Sequence, residues 1–120
     1  MATFHKRYDI NKVNINEVNN ILGVNEYLID LRSNNEFKEG RLPNSINVPF
    51  LKIGDWAKNN IDNYNAKIYL YCQNGARSVH AAAILKKMGY TKVVDLGGLN
   101  AYKGEMITDG NNKRKQIKDG

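Results

Sequence analysis

Residues 67–88 read KIYLYCQNGARSVHAAAILKKM, and this stretch decides the fold. Its first part, 67–71, is an apolar run of strand length. Its last part, 77–88, has apolar residues at helical spacing and is followed by Gly89, a common helix terminator. The stripe that this helix would bury consists of Ala81, Ile84, Leu85 and Met88. The stretch therefore predicts a buried strand, a tight loop and a helix.

Three further apolar runs of similar length lie at 27–31, 45–48 and 92–96. Helical patterns separate the runs, as expected when crossover helices connect parallel strands. One helix begins with a capping box, in which Ser33 and Glu36 would satisfy free backbone amides. We therefore expect an α/β fold of three layers, in which a mostly parallel central sheet of about five short strands is flanked by helices on both faces.

The length and composition fit one folded domain. The chain has 120 residues, of which 42% are hydrophobic and 25% are charged, as in an ordinary globular domain. We assign residues 1–7 to an N-terminal extension, 8–106 to the domain, and 107–120 to a basic tail that we expect to be flexible.

The charge and the motifs exclude several classes of partner. Four of the 18 Lys and Arg residues behind the net charge of +6 lie in the basic tail, and no nucleic-acid motif accompanies them. No apolar run reaches the length of about 20 residues that a membrane helix needs, and the start lacks a secretory signal. No cluster of His, Cys or carboxylate residues has metal-ligand spacing. We expect a cytoplasmic protein with no metal or other cofactor and with neither nucleic acid nor a membrane as partner.

The single cysteine, Cys72, follows the strand that ends at Tyr71, at the edge of the sheet where ligands bind in open α/β folds. Gly75 lets the loop turn its amides inward, and the next helix adds the positive end of its dipole, so that an anion or a thiolate is favoured there. Arg77 adds a charged planar group that fits an oxyanion. The alternative is a buried packing cysteine, which needs neither the glycine nor the arginine.

Four stretches of the chain, within 8–104, resemble in order the signatures of single-domain members of the rhodanese family of sulfurtransferases. They are LIDLRSNNEF at 28–37, GRLPNSINVP at 40–49, the Cys72 loop, and GGLNAY at 97–102. Two residues depart from the family pattern, Arg41 where many members have His and Tyr102 where they often have Trp. Both positions are usually structural, so we expect the two departures to have little effect on the chemistry. The resemblance implies a rhodanese-like fold and sulfurtransferase chemistry.

The resemblance implies that Cys72 takes sulfane sulfur from a small anionic donor, thiosulfate or another persulfide donor, and holds it as a persulfide. A thiol acceptor or cyanide would then remove the sulfur. The loop that would bind the donor consists of Gln73, Asn74, Gly75, Ala76, Arg77 and Ser78. Asp30 and Arg32 fit an ion pair that supports the site, whereas His80 fits the surface of the helix.

Other activities on the same scaffold stay open to different degrees. Related phosphatase loops have about seven residues from the cysteine through the arginine, whereas Cys72 through Arg77 spans six, which favours sulfur transfer. Arsenate reduction is less easily excluded by spacing, although the chain offers no second thiol to resolve an intermediate. A sulfur-carrier or protein-docking module without free turnover is the main alternative.

Overall fold

A parallel sheet forms the centre of the fold, in a computed structural model that describes residues 13–109. The strands are β1 (Tyr27–Asp30), β2 (Ile46–Asn47), β3 (Lys67–Cys72) and β4 (Lys92–Gly98). They lie in the order β2-β1-β3-β4, and each neighbouring pair is parallel. β1 and β3 are therefore central, and their carboxyl ends meet at one edge of the sheet.

The prediction of about five strands is wrong for the described part of the chain, which forms a sheet of four. The sequence has four apolar runs of strand length, and each run forms one strand. Arg41 and Ile107 do exchange backbone hydrogen bonds, but this contact is an isolated antiparallel bridge outside the sheet. The prediction of a fifth strand was wrong because the sequence has no fifth apolar run that could be buried on both faces of a sheet.

The helices flank the strands. They are α1 (Val18–Ile21), α2 (Asn34–Glu39), α3 (Ile53–Asn60) and α4 (Ala76–Met88), with 3-10 turns at Phe50–Lys52 and Leu99–Ala101. The predicted capping box opens α2, where the Ser33 hydroxyl accepts from the Glu36 amide at 3.2 Å and the Glu36 carboxylate accepts from the Ser33 amide at 3.1 Å.

Helix α4 forms as predicted, with one difference on its buried face. The side chains that it buries are Ser78, Ala81, Ala82 and Leu85. Ile84, which the sequence placed in this stripe, is 39% exposed. The small Ala82 faces the sheet instead, so that α4 can pack closely against it.

Each face of the sheet has its own hydrophobic core, and β3 contributes alternate side chains to both. Ile68, Leu70 and Cys72 pack with residues of α3 and α4. Tyr69 and Tyr71 point to the opposite face, where α1 and the chain around Leu42 cover them. The side chain of Cys72 therefore lies on the α4 side of the sheet.

The start of the predicted tail contacts the domain. Ile107 pairs with Arg41, and the Arg41 guanidinium binds the Asp109 carboxylate at 2.9 Å. The same guanidinium stacks on the Phe37 ring, 4.5 Å from its centre, which gives Arg41 the structural role expected of this position. The predicted extension 1–7 and the rest of the tail, 110–120, lie outside the described residues.

Candidate active site

Cys72 is the last residue of β3 and lies at the carboxyl edge of the sheet. The strand is one residue longer than predicted, because Cys72 pairs with Gly98 of β4. Only 3% of Cys72 is exposed. Burial alone would also fit a packing cysteine, so the groups around the sulfur decide between packing and chemistry.

Two main-chain amides point at the Cys72 sulfur. The Gly75 N–H donates to Sγ at 3.1 Å and the Ser78 N–H at 3.4 Å. Gly75 caps α4 with a φ of +91°, a left-handed conformation that residues with a Cβ rarely adopt. This turn directs the amides, and the positive end of the α4 dipole, at the sulfur. Such donors stabilise an anionic sulfur, which a packing cysteine does not need.

Ser78 and Asn74 hold the loop in this shape. The buried Ser78 hydroxyl lies 3.2 Å from the Gly75 carbonyl oxygen and 3.4 Å from that of Gly97, and it can donate to either. The Asn74 side chain accepts from the Ala76 amide at 3.1 Å and closes the turn into α4. Of the predicted binding residues, Gly75 and Ser78 therefore act through the main chain and through loop geometry.

The loop rests on Gly98 of the neighbouring strand. A methyl group on Gly98 would lie 2.7 Å from both the Asn74 Cα and the Gln73 carbonyl oxygen, too close for any side chain. The Asn100 amide donates to the same Gln73 carbonyl at 3.1 Å. The sequence marked Gly98 only as part of a turn resembling the family's, because the contact depends on which strand lies beside β3.

A cavity of about 310 Å³ opens in front of Cys72. Four of the predicted binding residues line it, namely Gln73, Asn74, Ala76 and Arg77. Its other side, which we call the facing wall, consists of Leu31, Arg32 and Glu36. The cavity thus has a loop that presents amides on one side and charged side chains on the other.

The predicted ion pair of Asp30 and Arg32 is present, with Arg32 in the facing wall and Asp30 behind it. Asp30 is fully buried, and its carboxylate accepts from Arg32 Nη2 at 2.7 Å and from Nε at 3.1 Å. Burial works to lower the pKa of Arg32, but the hydrogen bond and the charge of Asp30 raise it above its usual value. Arg32 also donates to the Gly40 carbonyl and, at 3.3 Å, to the Gln73 side chain. The pair therefore connects β1, the end of α2 and the Cys72 loop.

The Rhodanese-like domain family matches residues 14–105 of the chain. The chain belongs to this family. The fold agrees, since an Escherichia coli structure described as a rhodanese with anions superposes with a TM-score of 0.64 at 28% identity, over 69% of this chain and 98% of that one.

Relatives of this rhodanese-like domain include a sulfurtransferase. PspE of Escherichia coli (strain K12), a thiosulfate sulfurtransferase, is 31% identical over 62% of this chain and 71% of PspE. YqhL of Bacillus subtilis (strain 168), described as an uncharacterized protein, is 39% identical over 66% of this chain, and the chain spans 62% of YqhL, less than two thirds. Other relatives are tRNA uridine(34) hydroxylases, of which the chain covers 29–31%. Sulfur transfer is therefore supported in general terms, and the family also occurs within larger enzymes.

The sequence missed one charged residue of this rhodanese-like site, Glu36. Its carboxylate accepts from the Ser33 amide at 3.1 Å and from the Ser33 hydroxyl at 3.0 Å. These hydrogen bonds, and then the charges of Arg32 and Arg77, lower the pKa of Glu36. An ionised carboxylate therefore stands in the cavity wall. One feature of the sequence could have placed Glu36 in the site, because α2 starts directly after β1, at the same edge of the sheet as Cys72. The residue was instead interpreted only as part of the capping box.

A second cavity of about 360 Å³ continues from the first along α2. The two cavities share Arg32, Glu36 and Gln73, while the second adds Glu39, Gly40, Leu99, Asn100 and Met106. The two cavities therefore form one groove, in which Cys72 lines the first cavity but not the second, which we call the outer cavity.

Three other kinds of feature could have a functional role in residues 13–109: His80, groups of possible metal ligands, and membrane-spanning helices. His80 is exposed on α4, on the surface where the sequence placed it. Within the described residues, no group of three or more His, Cys, Asp or Glu side chains is arranged to hold a metal ion. No helix in that part of the chain is long and apolar enough to cross a membrane.

Proposed function

We propose that this rhodanese-like domain is a sulfurtransferase in which Cys72 accepts sulfane sulfur as a persulfide and passes it to a thiol or to cyanide. The observation that carries the proposal is the position of the Cys72 sulfur, 3.1 Å from the Gly75 amide and 3.4 Å from the Ser78 amide at the start of α4. The similarity to the thiosulfate sulfurtransferase PspE supports the same chemistry.

The donor is a small sulfur-bearing anion, such as thiosulfate or another persulfide donor. The Cys72 thiolate attacks the outer sulfur, the bond between the two donor sulfurs breaks, and its electron pair leaves with sulfite. Arg77 offers its planar guanidinium to the sulfite oxygens, and the side chains of Gln73, Asn74 and Ala76 enclose the donor. The relative described as a rhodanese with anions supports an anion-binding role for this fold.

The acceptor completes the cycle. A thiolate or cyanide attacks the outer persulfide sulfur, the sulfur–sulfur bond to Cys72 breaks, and the electron pair returns to the Cys72 thiolate. The amides of Gly75 and Ser78 stabilise this thiolate as it leaves, because they already point at its position. Neither step changes the number of electrons in the system, so the proposal includes no metal and no other cofactor.

The test is to incubate the protein with thiosulfate and measure its intact mass. We expect a gain equal to the mass of one sulfur atom. Because Cys72 is the chain's single cysteine, the Cys72→Ser variant carries no thiol and should gain nothing. A wild-type protein that takes up sulfur neither from thiosulfate nor from an alkyl persulfide would overturn the proposal.

Turnover separates the enzyme from the carrier module. An enzyme that carries its persulfide to cyanide should form many equivalents of thiocyanate per Cys72, whereas a carrier that needs a protein partner should form one equivalent at most. The six positions from Cys72 through Arg77 support sulfur transfer over phosphate chemistry, and the lack of a second cysteine counts against arsenate reduction. Hydrolysis of p-nitrophenyl phosphate at a comparable rate would contradict that preference.

The cellular setting belongs to the same proposal. A persulfide on Cys72 needs a free thiol to begin with and an acceptor thiol to end with, and both are abundant in a reducing compartment such as the cytoplasm. The basic residues of 110–120 are proposed to be dispensable, so deletion of this segment should leave sulfur loading unchanged.

A further inference from the structure

The charged groups around the Cys72 cavity balance one another. Arg32 and Arg77 line the cavity as cations, and Glu36 lines it as a carboxylate. Asp30 lies directly behind, paired with Arg32 at 2.7 Å. Two cations are thus opposed by two carboxylates, although the proposed donor is an anion.

The Arg32 guanidinium is already paired with protein groups. Its guanidinium donates to both Asp30 carboxylate oxygens, to the Gly40 carbonyl and to the Gln73 side chain. A donor molecule in the cavity therefore meets a cation that is already neutralised by a buried carboxylate. Arg77, which is exposed, is the cation that remains for the donor.

Glu36 opposes Arg77 from a fixed position. Two hydrogen bonds from Ser33 hold its carboxylate, and the charge of Arg77 contributes to lowering its pKa. Moving the carboxylate away would break the capping box of α2. Glu36 is therefore a permanent negative charge in the wall of the cavity, and the amides at Cys72 supply neutral stabilisation that does not depend on the donor's total charge.

We propose that Glu36 sets the charge selectivity of the site, so that the preferred sulfur donor carries one negative charge, as an alkyl persulfide or a thiosulfonate does, rather than the two charges of thiosulfate. This inference rests on the proposed function and names its donor class. With a thiosulfonate, the Cys72 thiolate attacks the outer sulfur, the sulfur–sulfur bond breaks, and a sulfinate leaves with the electron pair. The Cys72 persulfide is the same in both reactions.

The test compares thiosulfate with methanethiosulfonate, which replaces one charged oxygen by a methyl group. For a double-displacement enzyme, kcat/KM for the donor reports the loading step alone, whatever the acceptor. The Glu36→Gln variant removes the charge and keeps a side chain that also completes a capping box. We expect the kcat/KM ratio of thiosulfate to methanethiosulfonate to rise about three- to tenfold in this variant at low salt, because one fixed charge no longer repels the extra donor charge.

Two charge-matched variants serve as controls. Glu39→Gln makes the same change on α2 but in the outer cavity only, and should alter the donor ratio less than about twofold because the interaction falls with distance. Asp62→Asn changes the net charge at an exposed residue that lines neither cavity, and should leave the ratio unchanged. An unchanged ratio in Glu36→Gln, or an equal rise in Asp62→Asn, would overturn the inference.

A measurement on the wild-type protein tests the same point independently of the fold of any variant. If the cavity is balanced in charge, raising the ionic strength should change the donor ratio less than about twofold, whereas in Glu36→Gln salt should lower it towards the wild-type value. A steep fall of the wild-type ratio would mean a strongly cationic cavity and contradict the inference. The proposed function fails separately, if neither donor adds sulfur to Cys72 by intact mass.

Discussion

The two sides of the Cys72 cavity are built from different parts of the polypeptide. The Cys72 loop, residues 72–78, presents main-chain amides to the sulfur and is braced by the backbone of β4. The facing wall presents charged side chains, of which Arg32 and Glu36 are each held by several hydrogen bonds. Apart from the Arg77 side chain, the loop side therefore depends on backbone shape, whereas the facing wall depends on side-chain charge.

This difference separates two properties of the proposed reaction. The capacity to hold a negative sulfur follows from amide positions, which survive most changes of loop side chain as long as the backbone keeps its path. The choice among donors follows from the charges opposite, which can change without moving the loop. Substitutions should accordingly divide into those that abolish sulfur loading and those that change which donor loads best.

The largest effect is expected from Gly98→Ala. Its backbone angles suit any residue, but the added methyl group would lie 2.7 Å from the Asn74 Cα and 2.7 Å from the Gln73 oxygen, so the loop must shift. A shift of about 1 Å in a reacting group can cost about a hundredfold in rate, and overpacking costs about 1–3 kcal/mol of stability. We expect sulfur loading, followed by intact mass over time, to slow at least about a hundredfold.

Gly54→Ala is the matched control for Gly98→Ala. A methyl group there would meet Met88 and Ile84 at 3.8 and 3.9 Å, which is ordinary contact. It should therefore load sulfur at the wild-type rate and unfold at the same temperature or slightly above. Normal loading by Gly98→Ala would show that the loop does not depend on its fit against β4.

The next largest effect is expected from Arg77→Gln. Arg77 is the exposed cation of the cavity, and losing a charge-assisted hydrogen bond of about 1.5–3 kcal/mol corresponds to about a 10- to 100-fold rise in KM for thiosulfate. The KM of Arg77→Lys for thiosulfate should lie between those of the wild-type protein and Arg77→Gln, because lysine keeps the charge but not the planar guanidinium. Initial rates of thiocyanate formation give both constants, and an unchanged KM in the Gln variant would remove Arg77 from the binding site.

A small effect is expected from Gln73→Ala, although Gln73 lies next to Cys72. Its carbonyl, which accepts from the Asn100 amide, is unaffected by the change, and its side chain is exposed with a single long bond of 3.3 Å to Arg32. We expect kcat/KM for thiosulfate to fall no more than about threefold, as for the loss of one weak hydrogen bond. A fall above about tenfold would mean that the Gln73 side chain binds the donor directly, in addition to Arg77.

The parts of the fold that local sequence determines were predictable. Each of four apolar runs became a strand, and the Ser33–Glu36 pattern became a capping box, because both depend on residues a few positions apart. The place of Cys72 at the sheet edge followed from the strand, loop and helix order in the same way.

The rest of the site depends on contacts between distant segments. Gly98 touches the Cys72 loop only because β4 lies beside β3, and Arg32 reaches Gln73 only because β1 lies on the other side. Glu36 had a sufficient local explanation as a cap, which concealed its place in the cavity wall. Strand order, which the sequence did not determine, was the missing information.

The smallest effect on activity, with a clear effect on stability, is expected from Tyr71→Phe. The Tyr71 hydroxyl accepts from the buried Leu42 amide at 3.1 Å and donates to the Ser45 hydroxyl at 3.3 Å, so it anchors the chain that follows α2. Loss of this partner leaves the Leu42 amide unsatisfied and should lower the free energy of unfolding by about 1–2 kcal/mol near pH 8. Hydrogen exchange at Leu42 should become faster, while Tyr90→Phe, on the other face of the sheet, should not affect it.

The pH dependence gives Tyr71→Phe a second signature. Burial first, and then the charge of Asp30, raise the pKa of Tyr71 well above the ordinary value of 10.0. Below that value both the folded and the unfolded chain keep the phenol proton, so the stabilisation is intact. Above it the unfolded chain loses the proton first, and stability should fall by up to about 1.4 kcal/mol per pH unit for this residue. Urea unfolding at pH 8 and pH 11 should therefore show the deficit of Tyr71→Phe shrinking as the pH rises, and a constant deficit would mean that Tyr71 titrates alike in both states.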